Sequence, residues 1–462
     1  MMRRRTFLLC LAALATPCNA QRQRQKPGLP VEAAVDSIAE SALKGRSIPG
    51  LSVAVMRGAQ MVIAKGYGFA DVERKIPAAP ETIYQLGSIS KQFTAAAIMR
   101  LVERGKVRLD DPLTKYLPDY PTQGHTVLVR HLLHQTSGIK EFFTVRGFDE
   151  LESGSPERYV RSDLINLFKK EPFQFAPGER WAYSNSNYTL LGVIIEKASG
   201  MTYEQYLQEA LFQPLGLSAT HSCGTRPASG RFAKGYVLKD GSIGAAPPVN
   251  MNTAIGDGGL CSSVLDLVKW ERALVMGRAV SKSSYKRMIA SEMVRRGYRP
   301  DYGFALSLIS LDGRRRLGHN GEITGFTGAL AYYPEDDLTV AVLANRSQVW
   351  PEAIEKAIAR ATLGMAPPVV KDLPVRPEER QHYIGTYDFG VYPLRIFDEG
   401  GRLKFDMKLG RLPYELLYQG DHTFVAQSDP DAIRLTFSMP GGRADKLILE
   451  MAAMRWYADR MT

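Results

Sequence analysis

The chain has 462 residues, of which 45% are hydrophobic and 23% are charged, and its formal net charge is +11. This composition is that of a soluble globular protein that can build a normal core without a structural metal or a disulfide framework. The basic residues form short clusters, such as residues 314–316, without interleaved aromatic side chains. We therefore expect no nucleic-acid partner.

The first 20 residues have the three-part pattern of a signal peptide. Residues 3–5 are arginines, residues 7–15 form a short apolar stretch, and residues 18–20 offer a cleavage site. We therefore predict an exported protein, periplasmic or extracellular. Residues 4–8 also resemble a twin-arginine signal, so the Sec and twin-arginine routes both stay open. No later run of about 18 apolar residues occurs, so we expect no membrane span in the mature protein.

The elements predicted after a short polar leader point to an α/β fold. The middle of the chain, from residue 88 to about residue 277, has mainly helical patterns. Strand patterns occur on both sides of it, so we predict one antiparallel sheet built from both ends of the domain, with a mostly helical lobe inserted. The main elements are a helix over 33–43, a hairpin of 51–56 and 61–67, a helix over 188–199 closed by Gly200, strands over 303–311, 315–318, 328–333 and 339–343, and a helix over 350–361.

The pattern changes again toward the C-terminus. Residues 364–378 contain several prolines, which is typical of a linker. Residues 379–462 alternate apolar and polar side chains between glycine-containing turns. We therefore predict a small C-terminal all-β domain, a meander or a lipocalin-like barrel. Its role could be to shape the cleft, to bind a polymer or to mediate dimerisation, and the oligomeric state is open.

The cysteines and histidines give no sign of a metal or a cofactor. After removal of the signal peptide, Cys223 and Cys261 remain. In an exported protein they could form a disulfide, and two buried free thiols fit the sequence about as well. His131 and His134 have the spacing of a metal-ligand pair, but no third histidine or carboxylate stands at a known metal spacing. We expect no metal and no cofactor.

The first chemical motif is a serine and a lysine at the start of a predicted helix. Ser88 and Lys91 are three residues apart, so they share one face of the helix and the amine can reach the hydroxyl. Residues 92–102 have the pattern of an amphipathic helix. Ser88 would then lie at its N-terminus, where free N–H groups and the helix dipole favour a developing oxyanion. The same field and partial burial would lower the pKa of Lys91, which could then act as a base.

The Ser-x-x-Lys spacing alone is weak evidence. It occurs at three other places, each of which has the character of a solvated surface pair: Ser41/Lys44, Ser137/Lys140 and Ser283/Lys286. Ser88 differs from these because it follows Gly87 after a strand-like stretch and opens an apolar helix.

The second motif is Tyr183 and Asn185, in a loop just ahead of the helix predicted near Tyr188. A tyrosine close to a lysine can share its proton and work as acid or base. An amide two residues later can hold a substrate carbonyl or orient the lysine. The alternative is an ordinary N-terminal capping loop, since serine and asparagine favour such positions.

The third motif is His319, Asn320 and Gly321, followed by Glu322, at the end of a strand pattern. Glycine there would let a substrate approach the strand edge closely, and the backbone N–H of Glu322 could be a second oxyanion donor. A single histidine in a turn is more often structural.

In this order along the chain, the three motifs resemble the Ser-x-x-Lys, Tyr-x-Asn and Lys-Thr-Gly elements of serine β-lactamases and penicillin-binding proteins. The Tyr-x-Asn form is similar to the class C branch. The resemblance covers about residues 30–363 and implies a β-lactamase/transpeptidase-like fold for that range. Further similar segments are residues 48–52, 109–116, 131–138, 177–178 and 258–263.

The resemblance implies a role for each motif residue. Ser88 would be the nucleophile, Lys91 its activator and Tyr183 the proton shuttle. Asn185 would position substrate, and His319 stands where the third motif begins. Histidine and asparagine replace the lysine and threonine of the antibiotic-hydrolysing members, and a mostly neutral histidine suits a substrate carboxylate less well than a permanent cation.

The sequence therefore predicts an exported serine hydrolase that forms an acyl-enzyme on a small-molecule or peptide substrate. An esterase or a peptidase agrees best with the histidine of the third motif. A D-alanyl-D-alanine carboxypeptidase or a β-lactamase is the alternative within the family. The non-enzyme alternative is a ligand-binding or regulatory protein without useful turnover.

Overall fold

The computed structural model describes residues 30–152, 159–225, 230–390, 393–407 and 413–461. The predicted signal peptide and most of the polar leader after it lie outside the described residues. Within those ranges, no helix is both long enough and apolar enough to cross a membrane.

The helices and strands of the described residues alternate in the order that the α/β prediction requires. The helices are α1 (Val31–Gly45), α2 (Ser90–Glu103), α3 (Val129–Leu133), α4 (Phe148–Glu152), α5 (Arg161–Phe168), α6 (Asn185–Ser199), α7 (Tyr203–Leu207), α8 (Gln213–Leu215), α9 (Val264–Val275), α10 (Lys282–Met288), α11 (Pro351–Leu363) and α12 (Pro377–Tyr383). The strands are β1 (Gly50–Arg57), β2 (Gln60–Asp71), β3 (Ile76–Pro77), β4 (Tyr84–Gln85), β5 (His221–Ser222), β6 (Tyr236–Lys239), β7 (Ser242–Ala245), β8 (Leu260–Ser262), β9 (Ser307–Leu311), β10 (Arg314–Ile323), β11 (Phe326–Tyr333), β12 (Leu338–Ala344), β13 (Gly385–Asp388), β14 (Pro393–Glu399), β15 (Arg402–Asp406), β16 (Tyr414–Gly420), β17 (Thr423–Ala426), β18 (Arg434–Ser438), β19 (Lys446–Met451) and β20 (Met454–Arg460).

A seven-stranded antiparallel sheet forms the centre of the larger domain, in the order β3-β2-β1-β12-β11-β10-β9. β1 and β2 form the predicted hairpin, and β1 also pairs with β12, so strands from both ends of the domain complete one sheet. Alternate side chains of β1 point to opposite faces. Val53 and Val55 pack with α1 and α11, whereas Ala54 belongs to the core shared with α9 and the helical lobe. The predicted α/β fold class is confirmed.

Helix α2 lies at the centre of the inserted lobe and is buried on nearly all sides. The helix predicted over 92–102 is confirmed, but its amphipathic character was wrong: α2 packs between α6, α7 and α9, and only its last residue, Glu103, is exposed. Its polar residues are bonded internally: the Gln92 Oε1 atom accepts a hydrogen bond from the indole of Trp270 at 3.0 Å. Phe93 stacks on the same Trp270 with ring centroids 4.0 Å apart. This packing fixes the helix that begins beside Ser88.

Two elements begin three or more residues away from the predicted start. Helix α6 begins at Asn185, one turn before the predicted start, because its first residues are polar and buried and so carry no apolar periodicity. Strand β9 begins at Ser307 instead of residue 303. Ala305 has φ +56°, and the Gly303 N–H donates to the Leu306 carbonyl at 2.8 Å, so a tight turn occupies that segment.

A small second sheet, in the order β4-β8-β5, holds the two cysteines. Cys261 lies in β8 and Cys223 follows β5 directly. The two residues form a disulfide, with their Cα atoms 5.2 Å apart. Of the two states that the sequence left open, the structure has the bonded one.

The C-terminal domain is a closed barrel of the eight strands β13 to β20, as predicted. Its interior is filled by the alternate apolar residues that the sequence pattern indicated, among them Phe405, Leu435 and Leu449. Trp350 and Ala353, at the start of α11, pack against the same core. The barrel is therefore in direct apolar contact with the larger domain.

We predict that the disulfide contributes measurably to stability. Replacement of both cysteines by alanine (C223A/C261A) removes a cross-link between residues 38 positions apart. Because this cross-link restricts the unfolded chain, the free energy of unfolding is expected to fall by about 2–4 kcal/mol. Urea titration in non-reducing buffer measures this free energy. With reductant, the unfolding midpoint of the wild type should fall close to that of the variant. An unchanged midpoint in both cases would contradict the expectation.

Candidate active site

Ser88 lies in a tight turn between β4 and α2. The turn is a 3₁₀ helix over Gly87–Ile89, and Gly87 has φ +52°. A Cβ atom at Gly87 would lie 2.6 Å from the carbonyl oxygen and 2.8 Å from the backbone nitrogen of Glu322. Only glycine therefore lets β10 pass this close to Ser88, which stands at the N-terminal end of α2 as predicted.

Lys91 is fully buried one turn further into the helix, and its ammonium group has three acceptors. Its Nζ atom lies 3.0 Å from the Ser88 Oγ atom and donates to the Asn185 Oδ1 atom at 2.6 Å and to the Asp257 carbonyl at 2.7 Å. Burial lowers the pKa of Lys91 to about 8, although the carboxylates of Asp257 and Glu141 oppose this shift. A fraction of Lys91 is therefore neutral near physiological pH and can accept a proton.

Tyr183 completes the contacts of the serine hydroxyl. Its hydroxyl donates to the Ser88 Oγ atom at 2.8 Å, and the Lys91 Nζ atom lies 5.1 Å from the centre of its ring. Burial raises the pKa of Tyr183 well above its ordinary value, and the neighbouring Tyr302 adds to the effect. Tyr183 is therefore a neutral phenol that can pass a proton on, and it carries no permanent negative charge.

Asn185 is the first residue of α6, and both ends of its amide are engaged. The Oδ1 atom accepts from Lys91, and the Nδ2 atom donates to the Glu141 Oε1 atom at 3.2 Å. Ser184, at the N-cap position, makes no side-chain capping bond. The loop therefore differs from the plain capping loop considered as the alternative, and its amide is oriented toward the lysine.

Glu141 is a residue of this site that the sequence analysis missed. Its side chain is buried, and its carboxylate accepts from the backbone N–H of Asn185 as well as from its amide. Burial raises the pKa of Glu141 to about 7. In the sequence, Glu141 follows Lys140 and looks like half of a surface pair. Only the tertiary fold places it next to Asn185.

His319 lies within strand β10, not in a turn, and only 1% of it is exposed. The Asn320 carbonyl lies 2.5 Å from its Nδ1 atom and can only accept, so Nδ1 carries the hydrogen. The Nε2 atom then accepts from the Tyr302 hydroxyl at 3.0 Å. Burial lowers the pKa of His319 to about 3, and the charge of Lys91 adds to the shift. The ring is neutral, with both nitrogen atoms engaged by the protein.

Gly321 and Glu322 bring the edge of β10 against the serine turn. A Cβ atom at Gly321 would lie 1.9 Å from the carbonyl oxygen of Leu86. The Glu322 side chain turns away and accepts from the backbone N–H of Gln348 at 2.8 Å. The backbone of Glu322 lies against Gly87 in the serine turn. Its role as a second oxyanion donor stays a prediction.

Two pockets meet at Ser88 and Glu322. The first, which we call the aromatic pocket, has a volume of about 100 Å³ and is lined by Phe142, Phe143, Phe148, Leu164, Ile323, Asn185 and Asp257 among others. The second, the barrel-side pocket, has a volume of about 130 Å³ and is lined by Tyr183, His319, Trp350, Ala452 and Met454 among others. The last two belong to the hairpin of β19 and β20. The barrel thus contributes directly to the wall beside the serine, which the sequence could not decide.

The two histidines with metal-like spacing have protein partners instead. The His131 Nδ1 atom accepts from the Leu128 N–H at 3.3 Å, and the His134 Nε2 atom lies 3.5 Å from a carboxylate oxygen of Glu292. Over the part of the chain that the structure describes, no group of three or more histidine, cysteine, aspartate or glutamate side chains could hold a metal ion.

Comparison with known proteins agrees with this geometry. Residues 35–364 match the family model described as Beta-lactamase. Penicillin-binding protein 4* of Bacillus subtilis is 29% identical over 363 residues, which are 73% of this chain and 78% of that protein. D-aminopeptidase of Gluconobacter oxydans is 29% identical over 68% of this chain, and the match spans 59% of its length. The octameric penicillin-binding protein homologue from Pyrococcus abyssi superposes with a TM-score of 0.67 at 30% identity, over 92% of this chain and 99% of that one.

We predict that Glu141 sets the pH range in which Lys91 works. Glu141→Gln removes a negative charge that raises the pKa of Lys91. The pKa of Lys91 should then fall further, so the rising limb of kcat/KM for ester hydrolysis should move to lower pH. The maximal rate should fall by about tenfold, because the new amide cannot accept from both Asn185 donors.

A matched control for this pH profile is Glu271→Gln. Glu271 is a fully buried carboxyl in α9 that lines neither pocket. Burial raises the pKa of Glu271 to about 8, so it is mostly protonated at neutral pH. Its replacement should leave the rising limb of the kcat/KM profile at the same pH as in the wild type. If the rising limb stays at the same pH or moves to higher pH in Glu141→Gln, the charge of Glu141 does not raise the pKa of Lys91 and the prediction is wrong.

Proposed function

Since the chain belongs to the β-lactamase family, we propose that it is a serine hydrolase that forms an acyl-enzyme on Ser88 with an ester or amide substrate. One observation carries the proposal: the Ser88 Oγ atom lies 3.0 Å from the Lys91 Nζ atom and 2.8 Å from the Tyr183 hydroxyl. A base with a lowered pKa and a proton carrier are thus both within hydrogen-bond reach of the nucleophile.

Acylation begins with neutral Lys91. Its amine takes the Ser88 proton as the Oγ atom attacks the substrate carbonyl, and the bond from Oγ to the carbonyl carbon forms. The oxyanion that develops is placed between the backbone N–H groups of Ser88 and Glu322. The positive end of helix α2 lies beside the same oxygen and favours the negative charge.

Collapse of the tetrahedral intermediate releases the leaving group. Tyr183 donates its proton to the departing nitrogen or oxygen and is reprotonated from Lys91, so the proton taken from Ser88 ends on the leaving group. Water then attacks the acyl carbon and gives a proton to Lys91, directly or through Tyr183. The bond between the acyl carbon and the Ser88 Oγ atom breaks, the acid leaves, and Ser88 takes the proton back from Lys91. Asn185 holds Lys91 in place through both steps.

The state of His319 favours an esterase or an amide-cleaving peptidase within the family. A carboxypeptidase or a β-lactamase acts on a substrate with a carboxylate, which a cation in the third motif would bind. His319 is neutral and both of its ring nitrogens are occupied, so it offers no such cation. The resemblance to a D-aminopeptidase supports the peptidase class, and D-alanyl-D-alanine carboxypeptidase and β-lactamase action rank second. A binding protein without turnover ranks last, since Ser88 is hydrogen-bonded to both Lys91 and Tyr183.

We also propose that the protein is exported. The three-part pattern of residues 1–20 is the main support. The disulfide between Cys223 and Cys261 agrees with it, because structural disulfides persist in oxidising compartments such as the periplasm.

The test of the enzyme proposal is hydrolysis by the purified mature protein beside its Ser88→Ala variant. We expect hydrolysis of p-nitrophenyl butyrate or a short amino-acyl amide, with slower turnover of a chromogenic cephalosporin and of a D-alanyl-D-alanine peptide. Ser88→Ala should lower kcat/KM by at least about 1,000-fold, because the other groups act only through the nucleophile.

The matched control is Ser41→Ala. Ser41 has the same spacing to a lysine but lies on the exposed side of α1, outside both pockets around Ser88. This variant should keep full activity. Equal activity in Ser88→Ala and the wild type would refute the mechanism, and faster turnover of the cephalosporin or the dipeptide would reverse the order of substrates.

A further inference from the structure

The aromatic pocket contains one charged group that the mechanism leaves unused. Asp257 is 7% exposed and lines this pocket beside Ser88 and Asn185. Its backbone carbonyl binds Lys91, but among the described residues the buried Oδ1 atom of its carboxylate has no hydrogen-bond partner. A buried carboxylate oxygen without a partner is unfavourable, so a retained one in a pocket points to a ligand that supplies the donor.

Close backbone packing on both sides of Asp257 fixes its position in the pocket wall. Gly256 has φ +80°, and a Cβ atom there would lie 2.2 Å from the Tyr188 carbonyl of helix α6. A Cβ atom at Gly259 would lie 2.1 Å from the Ala254 carbonyl. Close packing on both sides therefore fixes the segment that carries Asp257 between the aromatic pocket and Lys91.

A single cation, Lys91, stands opposite two buried carboxyl groups beside the serine. Lys91 is the cation whose charge acts on the Asp257 carboxyl, and it faces the two buried carboxyl groups of Glu141 and Asp257. Burial raises the pKa of Asp257 to about 6, so the group is still mostly ionised at neutral pH. A protonated amine in the aromatic pocket would give the ionised Asp257 carboxylate a donor and a second counter-charge.

The position of Tyr183 tells which pocket takes the acyl part of a substrate. Tyr183 lines the barrel-side pocket and is not among the residues of the aromatic pocket. Because Tyr183 gives its proton to the leaving group, the leaving group belongs on the barrel side. The acyl part then lies in the aromatic pocket, between phenylalanine side chains and the Asp257 carboxylate.

We propose that the aromatic pocket binds acyl groups that carry both an apolar side chain and a protonated amine, with the Asp257 carboxylate as the anchor of that amine. The inference rests on the proposed acyl transfer at Ser88 and names its substrate class. An apolar α-amino acid in amide or ester linkage has both features, since a free α-amine has a pKa of about 8 and is protonated at neutral pH. The pocket volume of about 100 Å³ suits one such side chain.

Asp257 could instead serve only as a counter-ion of Lys91. The two roles differ in what they act on: a counter-ion affects every substrate alike, whereas an anchor distinguishes a ligand with an amine from one without it. The comparison of two ligands that differ only in the amine therefore separates them.

The experiment measures binding in the Ser88→Ala variant, in which turnover cannot interfere. Titration calorimetry compares D- and L-phenylalaninamide with 3-phenylpropanamide, which lacks only the amine. We expect one phenylalaninamide enantiomer to bind about 10- to 100-fold more tightly than 3-phenylpropanamide. Adding Asp257→Asn should abolish this preference, and adding Glu271→Gln should preserve it.

Equal binding of the amine and its analogue, or no binding of either, would overturn the proposal. A loss in Asp257→Asn that is equal for both ligands would also overturn it and leave the counter-ion role. The comparison in Ser88→Ala needs no change at Asp257, so it decides even if Asp257→Asn fails to fold. Failure of the proposed enzyme function would show separately, as hydrolysis that survives Ser88→Ala.

Discussion

The buried ammonium of Lys91 is the interaction on which the site depends. A lysine that is fully buried needs an acceptor for each of its N–H bonds. Here the acceptors come from three separate parts of the chain: Ser88 in its own turn, Asn185 at the start of α6, and the Asp257 carbonyl ahead of β8. These three segments must therefore pack together before the ammonium has all its acceptors. The same burial lowers the pKa of Lys91, which lets it act as a base.

The surrounding fold explains how these parts come so close. The sheet places β10 against the serine turn, and glycines at positions 87 and 321 remove the Cβ atoms that would keep the two backbones apart. Helix α2 is buried between its neighbours, and this packing fixes the positions of Ser88 and Lys91. The barrel adds the hairpin of β19 and β20, which turns an open edge of the site into a walled pocket.

Much of this could be predicted from the sequence, because the deciding signals are local. The strand and helix patterns predicted the sheet, the helical lobe and the barrel. The spacing of Ser88 and Lys91 and the order of the three motifs predicted the residues of the site. Glu141 and Asp257 were missed because a charged residue beside a lysine or among glycines looks like a surface residue until the fold buries it. The sequence analysis expected a mostly neutral His319, but the contacts of its two ring nitrogens with Tyr302 and the Asn320 carbonyl depend on the fold, and no spacing reveals them.

The most direct measurement is covalent labelling with a fluorophosphonate, followed by peptide mapping and a rate comparison between wild type and Lys91→Met. A single adduct on the peptide that contains Ser88, formed at least about 100-fold more slowly in Lys91→Met, is the result that an activated Ser88 predicts. An adduct on another serine, or the same labelling rate without the lysine, would contradict the claim that Lys91 activates Ser88.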